Sequence, residues 1–129
     1  MAVTKGKSGK VAPKVDRDFH SGNDTIVPCN EVILVGRVSS PGIERELPSG
    51  DKVVEFRVVV DRVSRRGKKR EVDTLDIAAW SVSARRRALV LKVDQWIEVN
   101  GAVRRRFWQA PTGLASRWQV EAHQISRYK

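Results

Sequence analysis

One cysteine and two histidines among 129 residues leave little from which to build a metal site or a covalent cross-link. Cys29 has no second cysteine to bond, and His20 and His123 stand too far from it in the chain to complete a zinc site. No apolar run approaches the roughly 20 residues that a membrane-spanning helix requires. The first residues show no apolar stretch of the signal-peptide kind, so a cytoplasmic location is the expectation. The chain has no HExxH, GxSxG or Walker-type loop. Asp73 and Asp76 lie three apart in a strand-like segment and so point to opposite faces, which denies them a shared metal. Neither catalytic residues nor a cofactor or metal are therefore expected. Acidic residues are also scarce: 15 Asp and Glu stand against 25 Lys and Arg, for a net charge of +10. That imbalance favours an anionic polymer as partner, because each phosphate neutralised by a cation releases condensed counterion.

What is present divides into two parts. Residues 1–29 are rich in Lys, Gly, Ser and Asp without any period, and read as a disordered basic arm. They carry five basic and three acidic residues, so most of the positive charge belongs to residues 30–129. That second part reads as strands separated by turns. Residues 31–40 are β-branched and apolar, and Pro41-Gly42 and Pro48-Ser49-Gly50 punctuate the loop after them. Across residues 53–63, Val54, Phe56, Val58 and Val60 share one face, with Glu55, Arg57, Val59 and Asp61 on the other. Residues 64–70 form a basic hairpin loop around Gly67. In a third strand, residues 72–80, Leu75, Ile77 and Ala79 face inward, and Thr74, Asp76, Ala78 and Trp80 outward.

Over residues 81–92 the period changes. Ala84, Ala88 and Leu91 fall at helical spacing, with Ser81 or Ser83 as N-cap. Residues 95–108 form a long strand with Gly101 at a bend or bulge. Residues 109–116 are turn-rich, and residues 117–126 make the last strand. Three strands, a helix and two strands fit an all-β, five-stranded Greek-key barrel of OB type spanning 30–129.

Period-two spacing places Arg104, Arg106 and Trp108 on one face and Val103, Arg105 and Phe107 on the other. Guanidinium forks bind phosphate oxygens. An indole stacks on an unpaired base, a contact worth about 1–3 kcal/mol. Duplexes hide their base faces, so Trp beside Arg points to single strands. Trp80 ends the outward set of the third strand and is the second platform, with Arg57 on the neighbouring strand. The basic loop adds Arg65, Arg66, Lys68, Lys69 and Arg70 beside that face. Trp96 reads as a core residue, Trp118 stays open, and Arg85, Arg86 and Arg87 read as a solvated helix face.

Several segments resemble bacterial single-stranded DNA-binding proteins. Residues 30–38 (NEVILVGRV) are similar to the opening strand of that family. Residues 47–50 (LPSG) resemble its following turn, and 54–60 (VEFRVVV) its second strand. Residues 73–80 resemble its third strand, 99–104 (VNGAVR) its V-x-G-x-L-R segment, and 120–125 (VEAHQI) its closing strand. The resemblance covers roughly residues 30–126. It implies an OB fold, sequence-tolerant binding of single-stranded DNA in replication, recombination or repair, a nucleoid-associated location and a homo-oligomer, usually a tetramer. It places Trp80 and Trp108 at base-stacking positions and Arg106 at a basic one. Thr74 stands where an aromatic is frequent, Glu31 where Lys is common, and Val93 where a turn Gly is common. The sequence ends at Arg127-Tyr128-Lys129, where the family carries a long tail with an acidic tip, so the chain reads as a divergent, tail-less member. An accessory protein of replication restart that acts mainly through replication or repair proteins, and an RNA-binding OB protein, are the alternative readings.

Overall fold

A sheet with one apolar face must cover that face, and a five-stranded sheet can do so by closing on itself. The computed structural model, which describes residues 25–63, 67 and 69–128, shows this solution. Its strands are β1 (Val32–Glu46), β2 (Lys52–Asp61), β3 (Val72–Ala79), β4 (Trp96–Ala110) and β5 (Gly113–Arg127), with a helix α1 (Val82–Leu89) between β3 and β4. They close in the order β1-β2-β3-β5-β4. Neighbours are antiparallel except β3 and β5, which run parallel through Ile77↔Val120 and Ala79↔Ala122. This is the expected OB barrel. Met1–Glu31 form a unit separate from Val32–Lys129. Of the former only residues 25–31 are described, and they form no regular element. The expectation of a disordered arm therefore falls mostly outside the described residues.

The inward sets read from alternation do fill the barrel. Val54, Phe56 and Val58 from β2, Ile77 and Ala79 from β3, Ile97 and Val99 from β4, and Val120, Ala122 and Ile125 from β5 form one buried cluster. Val60 and Leu75 pack against it partly buried. The helix closes the cluster with Ala84 and Ala88, four apart on one face, followed by Leu91. Ser81 is the cap: its Oγ accepts the Ala84 N–H at 3.2 Å. Ala78 departs from expectation. It lies on the outer face yet is buried, because it sits in register between Glu55 of β2 and Glu121 of β5.

Two segments read as loops are strands. β1 continues through Pro41-Gly42 to Glu46, with register shifts between Val38 and Ser40 and between Ser40 and Ile43. A bulge leaves residues out of the ladder, so the missing N–H of Pro41 costs nothing there. Gly42 is required by proximity: a Cβ on it would stand 2.5 Å from the Ala88 carbonyl oxygen of α1. β4 and β5 likewise stay paired to Ala110↔Gly113, so the expected loop over 109–116 shrinks to a turn at Pro111 and Thr112. Trp96 also differs. Ile97 and Val99 take the inner face, which turns Trp96 outward, 38% exposed, with the Arg37 guanidinium 5.7 Å from its ring. The turn before β4 takes its left-handed residue at Asp94 (φ 71°), one position after Val93.

At the loop end of β2 and β3, Arg62 grips Asp73 through Nε (3.0 Å) and Nη2 (2.8 Å) and reaches Glu71 through Nη1 (3.3 Å). The hydrogen bond from Arg62, aided by its charge, holds the Asp73 carboxyl below the usual aspartate range. That clasp is complete at ordinary aspartate pKa values and above, and it opens only as pH falls through the depressed value.

Candidate nucleic-acid interface

The candidate interface is built on the antiparallel pair β4 and β5. Gly101 allows their close approach at a bulge: the register shifts between Asn100 and Gly101, and a Cβ there would stand 1.8 Å from the Glu121 carbonyl oxygen. Beyond this bulge the two strands run on as a hairpin. Residues directly opposite in an antiparallel pair share a face. Arg104, Arg106 and Trp108 therefore lie with Gln119, Arg117 and Ala115, their partners in register. The face read from the sequence is thus real, and β5 adds to it an arginine that the sequence reading missed.

Hydrogen bonds tie this face to β2 and β3. Gln119, 5% exposed, donates from Nε2 to Glu55 Oε2 at 2.9 Å. Arg117 reaches the same oxygen at 3.4 Å and Asp76 Oδ2 at 3.9 Å. Arg45, from the part of β1 read as a loop, reaches Glu55 Oε1 at 3.2 Å. Arg57 pairs with Asp76 at 2.9 Å and Arg104 with Glu121 at 3.0 Å. An open groove of about 300 Å³ runs beside this lattice, lined by Ser40, Pro41, Arg45, Arg57, Asp76 and Arg117 among others.

The arginines are thus not a bare row. Arg45, Arg57, Arg104 and Arg117 share the carboxylates of Glu55, Asp76 and Glu121. Each pairing uses only some of the five N–H donors of a guanidinium. The side chains of Arg57 and Arg104 remain 56% and 46% exposed, so donors are left for phosphate. The carboxylates hold the forks in place and lower the net charge of this face.

Arg106 is held differently. Its guanidinium carbon lies 4.2 Å from the centre of the Trp80 ring, a stacked cation–π contact. Trp80 follows β3 directly and is half-buried, one ring face covered by Arg106. Its backbone carbonyl accepts a hydrogen bond from Arg85 Nη1. Arg85 was read as solvated helix surface; it is half-buried and anchors the residue carrying the platform. Trp108 is 47% exposed. It lies two residues beyond Arg106 on the same face, about 7 Å along the strand. Trp80, Arg106 and Trp108 so form a run of indole, guanidinium and indole.

Only part of the basic loop is described. Arg65, Arg66 and Lys68 lie outside the described residues. Lys69 and Arg70 are exposed and precede Val72 at the start of β3, whereas Trp80 follows its end at Ala79. The eight residues of β3 set those ends about 23 Å apart. Lys69 and Arg70 therefore lie at the end of β3 away from Trp80. Arg70 also reaches Asp61, at 3.6 Å. Among the described residues no group of three or more His, Cys, Asp and Glu is placed to hold a metal ion, and no helix is long and apolar enough to cross a membrane.

Comparison with known proteins matches residues 29–128 to the model of the single-strand binding protein family. A single-stranded DNA-binding protein of Thermotoga maritima is 33% identical over 87 residues, covering 65% of this chain and 62% of that protein. One from Oceanobacillus iheyensis is 29% identical over 85 residues, covering 65% of this chain and 53% of that protein. The chain thus spans between half and two-thirds of the length of these curated relatives. Among solved structures, a Plasmodium falciparum SSB in complex with ssDNA superposes with a TM-score of 0.66 at 17% identity, covering 82% of this chain and all of that one. At that identity the likeness establishes the fold.

Proposed function

The chain belongs to the single-strand binding protein family, and from that premise we propose that it coats single-stranded DNA during replication, recombination or repair by stacking and phosphate contacts that do not read sequence. The observation that carries this is the run Trp80–Arg106–Trp108 on one side of the hairpin. Trp108, and the part of Trp80 that Arg106 leaves uncovered, supply π-surface that any base can meet, and the Arg106 guanidinium takes the phosphate linking stacked nucleotides. Arg104 and Arg57 add phosphate contacts from their exposed donors. Lys69 and Arg70 extend the track along the β2–β3 wall, and Arg65, Arg66 and Lys68, adjacent in sequence, add their charge to it. The role is binding, without a cofactor or a catalytic group. The names of the relatives favour DNA over the RNA-binding and accessory readings.

Fluorescence anisotropy of a labelled oligo-dT, with duplex DNA and oligo-rU as competitors, tests this reading. Saturable binding, poor competition by the duplex, and a log–log salt slope of about −0.7 per phosphate contact are expected. No binding at low salt, or equal competition by the duplex, overturns it.

Asp76→Asn is expected to tighten binding severalfold at low salt. The change removes a negative charge shared by Arg57 and Arg117, and the gain fades as salt screens the field. Unchanged affinity at low salt would show that this groove lies off the DNA path.

A homo-oligomer belongs to the same proposal. Outer residues of β1 and β4 bring Ile33 (44% exposed), Val35 and Trp96 together beside Arg37, an apolar patch on a strand pair away from the proposed DNA path. Equilibrium sedimentation should give a multiple of the 14.5 kDa chain mass; a single-chain mass contradicts it.

A further inference from the structure

The β4–β5 hairpin has a second face, which the proposed DNA path does not use. Val103, Arg105 and Phe107 alternate with the front residues, and Trp118 lies directly opposite Arg105. Phe107 is 57% exposed, Trp118 60% and Leu114, also on this side, 71%. The Arg105 guanidinium stands over both rings, 5.2 Å from the centre of Phe107 and 5.4 Å from that of Trp118. Ser116 Oγ fixes it by accepting from Nε at 3.2 Å and Nη2 at 3.0 Å.

This is a cation fixed between two aromatic rings on a projecting ribbon. Among the described residues no carboxylate pairs with Arg105, whereas Glu55, Asp76 and Glu121 partner most arginines of the front. We propose that this reverse face is a second contact for single-stranded DNA, in which Trp118 and Phe107 receive bases and the outer donors of Arg105 meet a phosphate. The inference rests on the front-face reading and extends it: one strand follows the front and continues around the hairpin. The geometry permits this. Past Gly101, β4 no longer pairs with β1, and β5 pairs with β3 only at residues 120–122, so much of the ribbon's edge is open. A ribbon two strands wide presents a short path from one face to the other. Charge selects the occupant. Two copies packed through this face would bring Arg105 against Arg105 without an acid between them, while a polyanion neutralises it.

The test compares a short oligo-dT of about 8 nucleotides, within the range that one OB barrel occupies, with one several times longer. Phe107→Ala combined with Trp118→Ala should weaken binding of the long oligomer by about fivefold or more and shorten the length occluded per chain, while leaving the short oligomer unaffected. Arg105→Gln, which removes the charge at an exposed position outside the core and keeps an amide able to donate to Ser116, should reduce the magnitude of the long-oligomer salt slope by about 0.7. That variant decides the matter if the double variant fails to fold. Wild-type affinity, occluded length and salt slope in both variants overturn the proposal. So does a change confined to sedimenting mass, which would assign the face to contacts between copies. Failure of the unmodified protein to bind either oligomer is distinct, since it removes the front-face reading as well.

Discussion

Alanine at Trp108 should lower affinity for oligo-dT about 5- to 150-fold, the loss that corresponds to one base–aromatic stack of about 1–3 kcal/mol. Trp108 is a direct measure of stacking because it is half-exposed on a ribbon outside the core cluster, and truncating it removes a ligand contact with little effect on the fold. Trp80 should behave otherwise. Its ring supports Arg106 at 4.2 Å, so Trp80→Ala removes a platform and also the seat of a cation. Residues in contact are not additive. The pair Trp80→Ala and Arg106→Ala should together cost less than the sum of the single changes, whereas Trp108→Ala should add to a distant phosphate contact such as Arg57→Ala. Anisotropy titrations of the set, with circular dichroism to confirm folding, give these values. A Trp108→Ala variant that binds like the parent contradicts the stacking role.

The second large effect concerns the frame that carries the hairpin. Gly101→Ala should destabilise the barrel by about 3 kcal/mol, the upper end of ordinary overpacking, and lower Tm by roughly 12–24 °C for a domain of this size. The added Cβ would fall 1.8 Å from the Glu121 carbonyl oxygen and 2.9 Å from its carbon. Both are backbone atoms, so no rotamer change relieves the clash. Separating β4 from β5 there would break the ladder on which Arg104, Arg106 and Trp108 are aligned, and affinity should fall with stability. A thermal melt matching the parent would show that the bulge at Gly101 has room for a side chain.

Much of this was legible in the residues. Alternation in 53–60 assigned Val54, Phe56 and Val58 to the core, because a strand buried on one side admits few other patterns. Ala84, Ala88 and the Ser81 cap defined a helix in the same way, and a glycine inside a β-branched strand marked the bulge at 101. What escaped depends on register between segments far apart in the chain. Arg117 and Gln119 meet Glu55, more than 60 positions away, and no local period can announce that. Pro41 and Pro111 read as loop punctuation because proline cannot donate to a ladder, yet one sits at a bulge and the other in a two-residue turn, where no donor is needed. Alternation separated Val103, Arg105 and Phe107 from the front face, but Trp118 stayed open because only the register between β4 and β5 sets it opposite Arg105. Trp96 was placed inside on residue type, although its phase with Ile97 and Val99 turned it outward.

Emission from a variant whose only indoles are Trp80 and Trp108, made by Trp96→Phe and Trp118→Phe, reports directly on whether bases reach those two rings. Titration with a short oligo-dT at low salt should quench it in a saturable manner and salt should reverse the effect. Emission that stays constant while a labelled oligomer demonstrably binds would mean that DNA runs elsewhere on the barrel.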